Sequence, residues 1–136
     1  MTARAWLDAN AVISLVAGSE NSNHDRAVNV FRRVADGDLE VILTVQVVFE
    51  VAWFLERRLA WSRARCADQL RSILGAYGVV VLDHVLLPAL DLFAINRRLD
   101  FVDAYVGACA LILGPATVVS FDRDFDRIDG IARIGS

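Results

Sequence analysis

Four acidic residues occupy positions from which a carboxylate can take part in catalysis. Asp8 follows a short apolar segment and Asp122 closes a second one, in VVSFDRDF, so both are expected at the carboxyl ends of strands. Glu50 and Asp103 lie instead in apolar helical segments, VVFEVAWF and FVDAYVGACA. A chain keeps an ionised carboxylate in apolar surroundings only if something compensates for its lost hydration. The pattern predicts that the four carboxylates converge on one crevice.

A divalent cation would explain such a convergence. Four carboxylates in one crevice repel one another and raise one another's pKa values, and a bound cation removes the repulsion. An all-oxygen ligand set selects Mg²⁺ or Mn²⁺ over zinc. Simpler roles stay open: Asp8 as a helix N-cap, and a salt bridge from Asp103 to Arg98. Asp124 and Asp126 lie in DRDFDRIDG, which is by default a solvated turn, although Asp126 is a candidate for a supporting role.

The composition excludes several kinds of chemistry. All 14 basic residues are arginine, so there is no lysine for a phosphate loop, a Schiff base or a phosphoaspartate site. The net charge of −3 indicates neither a general polyanion binder nor an acidic tail. Cys66 and Cys109 are far apart in apolar context and are expected to be reduced core residues. The start of the chain lacks the pattern of a secretory leader, which predicts a cytoplasmic protein.

The elements that must position the acids alternate between strands and helices. Strands are predicted over residues 3–7, 40–45, 78–82, 117–121 and 131–134, and helices over 11–16, 24–37, 46–61, 62–75, 85–99 and 101–113. Continuous apolar strands are typical of a parallel sheet that is buried on both faces. We therefore expect one domain over residues 1–136, a three-layer α/β/α sandwich with a five-stranded parallel sheet and the first strand at its centre.

One uncharged stretch, residues 104–121, approaches the length of a membrane span. Gly114 and Pro115 interrupt it, and β-branched residues follow, so the stretch predicts a helix, a turn and a strand rather than a membrane anchor. The helical pair over residues 46–75 carries Trp53 and Trp61, more aromatic surface than one helix usually buries. A partner surface, such as a homodimer interface, and an ordinary core role both remain open.

Four motifs together resemble those of a PIN-domain ribonuclease, and more narrowly of the toxin in a VapBC-type toxin–antitoxin pair. The matching segments are LDANAVI, QVVFEVAW, LDFVDAYVGACA and VVSFDRDFDRI, in that order along nearly the whole chain. Ser120 stands where this family commonly has threonine, which keeps the hydroxyl. Asp100 is a rival to Asp103, but only Asp103 is followed by the alanine and small-residue run of the family.

The resemblance implies a five-stranded parallel sheet and a site in which Asp8, Glu50, Asp103 and Asp122 are catalytic and hold Mg²⁺ or Mn²⁺. It also implies an RNA substrate, a cognate antitoxin and a homodimer. A metal ion in such a site activates a water molecule for attack on a phosphodiester, so no protein nucleophile is needed. Arginines near the crevice, among them Arg97 and Arg123, are candidates for binding phosphates.

Two other classes of protein compete with this interpretation. A signalling receiver domain has similar length, alternating strands and helices, and acids at strand ends, but it needs the lysine that this chain lacks. A non-catalytic PIN-like scaffold that binds RNA or protein would have no reason to keep Glu50 in apolar sequence. RNA binding without cleavage would favour the scaffold.

Overall fold

The computed structural model describes residues 2–135, in which five parallel strands and six α-helices follow one another as an α/β fold. The strands are β1 (Ala3–Trp6), β2 (Leu39–Leu43), β3 (Val79–Val81), β4 (Thr117–Val119) and β5 (Ala132–Ile134). The helices are α1 (Ala9–Val16), α2 (His24–Ala35), α3 (Val45–Arg57), α4 (Arg63–Leu74), α5 (Leu86–Ile95) and α6 (Phe101–Leu113), with a 3₁₀ helix at Arg123–Arg127. The predicted α/β class is confirmed.

The strands form two sheets, so the single five-stranded sheet is not confirmed. One sheet has three strands in the order β1-β2-β3, and β4 pairs with β5 in a second sheet. The prediction that the first strand is central is wrong, because β2 lies between β1 and β3. Parallel pairing runs from Ala3 opposite Leu39 to Trp6 opposite Ile42, and Val41 lies opposite Val79. An apolar run predicts a strand, but it does not specify which strand pairs with which.

Burial differs strongly between the strands. Leu39, Val41 and Leu43 of β2 point into the main core, to which all six α-helices contribute buried side chains. All four residues of β1 are exposed, and Trp6 retains 68% of its accessible surface. The expectation that the strands are buried on both faces is therefore wrong for β1, which has a neighbouring strand on one side only within residues 2–135.

An aromatic cluster joins α3, α5 and α6. The ring of Phe101 makes edge-on contacts with Phe49 and Phe93, at centroid distances of 5.7 Å each. Phe49 also meets Tyr105 edge-on, at 5.3 Å. Edge-to-face pairs at these distances contribute beyond the apolar area that they bury. Since Phe49 precedes Glu50 and Phe101 lies two residues before Asp103, the cluster fixes the relative placement of the two helices that carry these acids.

Local polar contacts decide where several helices begin and end. Ser62 caps α4 as predicted, because its hydroxyl accepts a hydrogen bond of 3.2 Å from the Arg65 amide. Helix α3 ends at Arg57, earlier than predicted, since the chain turns at Ala60 with a φ of 52°. Helix α5 ends at Ile95, also early, where the Asn96 side-chain amide donates to the Leu92 carbonyl at 3.0 Å.

Arg63 joins the start of α4 to the segment that follows α5. Its guanidinium donates to the carbonyls of Phe93 and Leu99, at 3.0 and 2.6 Å, and lies 4.2 Å from the centroid of the Phe93 ring. Both cysteines are free: Cys66 is buried and Cys109 is half-buried. Of the helices found between residues 2 and 135, none has the length and apolar character needed to cross a membrane.

Gly78 provides a test of the packing between α2 and the first sheet. A Cβ atom at Gly78 would lie 2.6 Å from Val34 Cγ1 and 3.0 Å from the Val34 carbonyl oxygen. Gly18 shares its φ of +82°, but an added Cβ there meets no described atom within 4 Å. We predict that Gly78→Ala lowers the free energy of unfolding by about 1–3 kcal/mol more than Gly18→Ala. Urea unfolding followed by circular dichroism measures both values, and equal losses would contradict the packing.

Candidate functional site

Asp103 lies in the first turn of α6, and Asp122 lies between β4 and the 3₁₀ helix. Asp100 is the N-cap of α6 and accepts a hydrogen bond of 2.8 Å from the Asp103 amide. Asp122 caps the 3₁₀ helix in the same way and accepts from the Asp124 amide at 2.8 Å. The Asp122 amide in turn donates to the Ser120 hydroxyl at 3.0 Å. These short contacts fix the backbone that carries both acids.

Asp103 is half-buried at the start of α6, and the charges of three other carboxylates act on it. Partial burial raises the pKa of Asp103 above its ordinary value, and the negative charges of Asp100, Asp122 and Asp124 raise it further. Of the other three predicted site residues, Asp122 is one whose charge acts on Asp103. Asp100 and Asp124 also act on it, although Asp124 was expected in a solvated turn. The signal that could have identified Asp124 is its place two residues after Asp122.

Asp8 lies just after the carboxyl end of β1. It occupies the N-cap position of α1, but within residues 2–135 its side chain makes no capping hydrogen bond. The capping alternative therefore does not explain this exposed carboxylate. Asp8 lines a cavity of about 430 Å³ between α1 and α2.

Glu50 is exposed, so the expectation that its carboxylate is buried is wrong. The apolar residues that flank it in sequence form one stripe of α3, whose buried members include Val47, Val51 and Leu55. Glu50 projects from another side of the helix, where it lines a groove of about 480 Å³. The other lining residues are Ile13, Phe49, Trp53, Phe54 and Val102. Counting apolar neighbours along the sequence overstated the burial of Glu50, because a helix separates adjacent residues onto different faces.

The donor atoms of the four predicted site residues fit a hard divalent cation. Carboxylate oxygens are the ligands that Mg²⁺ and Mn²⁺ prefer. Across residues 2–135, however, no three His, Cys, Asp or Glu side chains are grouped closely enough to bind a metal ion. The charge of Asp122 acts on Asp103, Asp8 lines a cavity, and Glu50 lines a groove. A common metal centre of these four residues stays a prediction.

Arg133 on β5 holds the segment that follows β4. Its guanidinium donates to both carboxylate oxygens of Asp126, at 2.9 and 3.2 Å, and to the Ser120 carbonyl at 3.0 Å. The side chain of Arg133 retains only 11% exposure. The bond from Arg133 lowers the pKa of Asp126 below its ordinary value. A paired, planar contact of this kind fixes the turn that presents Asp122, in line with the supporting role considered for Asp126.

Asp83 was missed by the sequence analysis, although it follows the apolar run of β3 as Asp8 follows that of β1. The Tyr105 hydroxyl donates a short hydrogen bond to one Asp83 oxygen, and the other oxygen accepts from the Val85 amide at 2.8 Å. The bond to Asp83, followed by burial, raises the pKa of Tyr105. Both carboxylate oxygens are engaged, so Asp83 ties α6 to the end of β3.

Comparison with known families identifies the class of protein. The model of the PIN domain family matches residues 5–131. The chain belongs to the PIN domain family, which confirms this part of the resemblance. PIN domains are generally nucleases, so hydrolase activity on nucleic acid is the function that the family indicates. A comparison with curated proteins gave no match.

The coupling between Asp103 and Asp122 can be tested by titration. In EDTA, Asp122→Asn removes one negative charge near Asp103 and keeps an oxygen that can cap the 3₁₀ helix. We predict that the pKa of Asp103 then falls toward its ordinary value, as measured by NMR of its carboxyl carbon against pH. Asp68→Asn, at an exposed carboxylate on α4 that lies 3.6 Å from Arg71, is the matched control. An unchanged Asp103 pKa in Asp122→Asn would show that the two acids are not neighbours.

Proposed function

We propose that this chain is an endoribonuclease that depends on Mg²⁺ or Mn²⁺, and that it is the toxin of a type II toxin–antitoxin pair. The observation that carries the proposal is the match of residues 5–131 to the PIN domain family, a family of nucleases, and the negative charges that act on the half-buried Asp103 support it. Carboxylates that raise one another's pKa are unfavourable unless a cation or a proton neutralises them. In a family of nucleases, a divalent cation is the partner that such a group favours.

We assign the residues of this chain distinct roles in the proposed reaction. Asp103 and Asp122 form the nucleus of the acidic site, because each is held by backbone contacts at the start of a helix. Asp8 and Glu50 are the further catalytic and metal-binding residues that the motifs suggest. Both are exposed, so their side chains are free to turn toward an incoming cation and RNA. Assembly of the complete site would then accompany binding.

The partners that we propose follow from the same motifs. The substrate is RNA, and exposed arginines beside the acidic group, Arg97, Arg98 and Arg123, supply positive charge for its phosphates. Arg127 lies 3.6 Å from Asp124 and is partly neutralised by it. A cognate antitoxin would restrain the enzyme in the cytoplasm. Homodimer formation is the remaining proposal, and the exposed aromatic side of α3 supports it.

A second candidate function is a non-catalytic PIN-like scaffold that binds RNA or protein. It is favoured by one observation: the described residues contain no group of three potential metal ligands. One experiment distinguishes the two candidates. In the presence of Mn²⁺ a nuclease cuts RNA, whereas a scaffold binds RNA without cutting it.

Cleavage of labelled single-stranded and tRNA-like RNA tests the nuclease proposal directly. We expect cutting in Mn²⁺ or Mg²⁺ and none in EDTA. Asp103→Asn removes a charge from the centre of the acidic group and should lower the rate by about 100-fold or more, as loss of a catalytic carboxylate typically does. Asp68→Asn, outside this group, should cut like the unmodified chain. Binding of RNA without cleavage in Mn²⁺ would contradict the nuclease and favour the scaffold.

The proposed dimer makes a separate prediction for the aromatic residues of α3 and α4. Trp53 is 55% exposed, whereas Trp61 packs against the core and lies 3.7 Å, by ring centroid, from the Arg65 guanidinium. Trp53→Ala should weaken self-association by about 2 kcal/mol or more if this side chain is central to the interface. Light scattering over a concentration series measures the change. Trp61→Ala should reduce stability instead, and an unchanged mass in Trp53→Ala would refute the interface.

A further inference from the structure

A polar cavity lies between α1 and α2, next to Asp8. We refer to it as the α1–α2 cavity, and its volume is about 430 Å³. Its lining residues are Asp8, Asn10, Ala11, Ser14, Asn23, Arg26, Ala27 and Val30. The volume lies within the range of about 300–1,000 Å³ that small-ligand sites occupy. Three apolar residues and several hydrogen-bonding side chains share the lining, which suits a ligand that is itself part polar and part apolar.

Asn10 presents a donor to this cavity. Its side-chain oxygen accepts a hydrogen bond of 3.1 Å from the Ser14 hydroxyl. Ser14 is only 2% exposed, so the hydroxyl that holds Asn10 is fixed within the fold. This bond occupies the oxygen of the Asn10 amide, and among the side-chain hydrogen bonds of residues 2–135 none is donated by its NH₂ group, which carries two donors. The donor is therefore oriented before any ligand arrives.

Arg26 supplies the positive charge of the cavity. It is exposed, and one of its nitrogens donates to the Asn23 side-chain oxygen at 3.1 Å. Within the part of the chain that the structure describes, no carboxylate forms an ion pair with Arg26. A guanidinium has five N–H donors in a planar fork that matches a phosphate group. Asn23 fixes one side of that fork, and the remaining donors are available.

We propose that the α1–α2 cavity binds one nucleotide of the RNA strand, with its phosphate on Arg26 and a polar edge on the Asn10 amide. The inference rests on the proposed nuclease function and adds a substrate-binding subsite to it. Asp8 lines the same cavity, and its negative charge repels anions. A small free anion therefore binds there less favourably than the phosphate of an RNA strand, because the strand makes further contacts outside the cavity. The apolar side chains of Ala27 and Val30 offer a surface for the sugar or base.

Helix α2 contains a matched control for Arg26. Arg32 lies on the same helix, is also exposed, and donates to Asn29 three residues earlier, as Arg26 donates to Asn23. Arg32 does not line the α1–α2 cavity. A general loss of positive charge from α2 would affect RNA binding equally in Arg26→Ala and Arg32→Ala, whereas loss of a specific subsite would affect Arg26→Ala alone.

The test measures binding of a labelled single-stranded RNA to the full chain in EDTA, where cleavage is blocked, over a series of salt concentrations. We expect Arg26→Ala to weaken binding by about tenfold, as loss of a charged hydrogen bond does. Its plot of log affinity against log salt should become shallower by about 0.7, the value for one phosphate contact on a single strand. Arg32→Ala should retain at least most of the affinity, and thermal unfolding verifies that both variants fold.

The outcomes separate this proposal from the nuclease proposal. Equal binding by Arg26→Ala and Arg32→Ala, with cleavage by the unmodified chain that depends on Asp103, overturns the subsite alone. A chain that neither binds nor cuts RNA overturns both proposals. Full displacement of the RNA by millimolar inorganic phosphate overturns the assignment to a nucleotide of the strand and identifies a general anion site.

Discussion

The aromatic packing around Phe101 is the contact on which the arrangement of the acidic helices depends. Phe101 is 3% exposed and lies between Phe49 of α3 and Phe93 of α5. Rings that meet edge-on allow little sliding of one helix past another, because the contact loses its favourable geometry. Asp103 follows Phe101 by two residues, and Glu50 follows Phe49 directly. The core therefore fixes the backbone positions of two acids whose side chains lie outside it.

Burial of Asp103 and the negative charges near it reduce the stability of the folded state when Asp103 is ionised. Because its folded pKa is raised, the neutral form of Asp103 is favoured in the folded state, so the stability associated with protonation is present at low pH and is lost as pH rises through the folded pKa. At neutral pH the charged site is thus an unfavourable element of the fold. Any cation that binds the folded chain there, and not the unfolded one, stabilises the fold by linkage. The loss of folding stability and the affinity for a cation have the same origin, which is the unneutralised negative charge.

The sequence predicts what depends on local interactions and fails where distant segments must meet. Helix α6 has the predicted bounds, and Ser62 caps α4, since both follow from neighbouring residues. The division into two sheets is a matter of pairing between distant segments, which an apolar run does not encode. The exposure of Glu50 depends on which side of α3 meets the core, and a run that is apolar almost throughout leaves that side ambiguous. The neighbours of Asp103 likewise required the packing of α6 near the end of β4.

The division of the strands also limits how Asp8 and Asp122 can approach each other. They follow β1 and β4, which belong to different sheets, so no backbone ladder within residues 2–135 sets the distance between them. That distance is instead set by helix packing, through the contacts of α1 with α3, α3 with α6 and α6 with β4. The turn after β4 has its own restraint, since Arg133 binds Asp126 and the Ser120 carbonyl from β5. Asp122 thus belongs to a locally fixed unit, and its position relative to Asp8 depends on that helix packing.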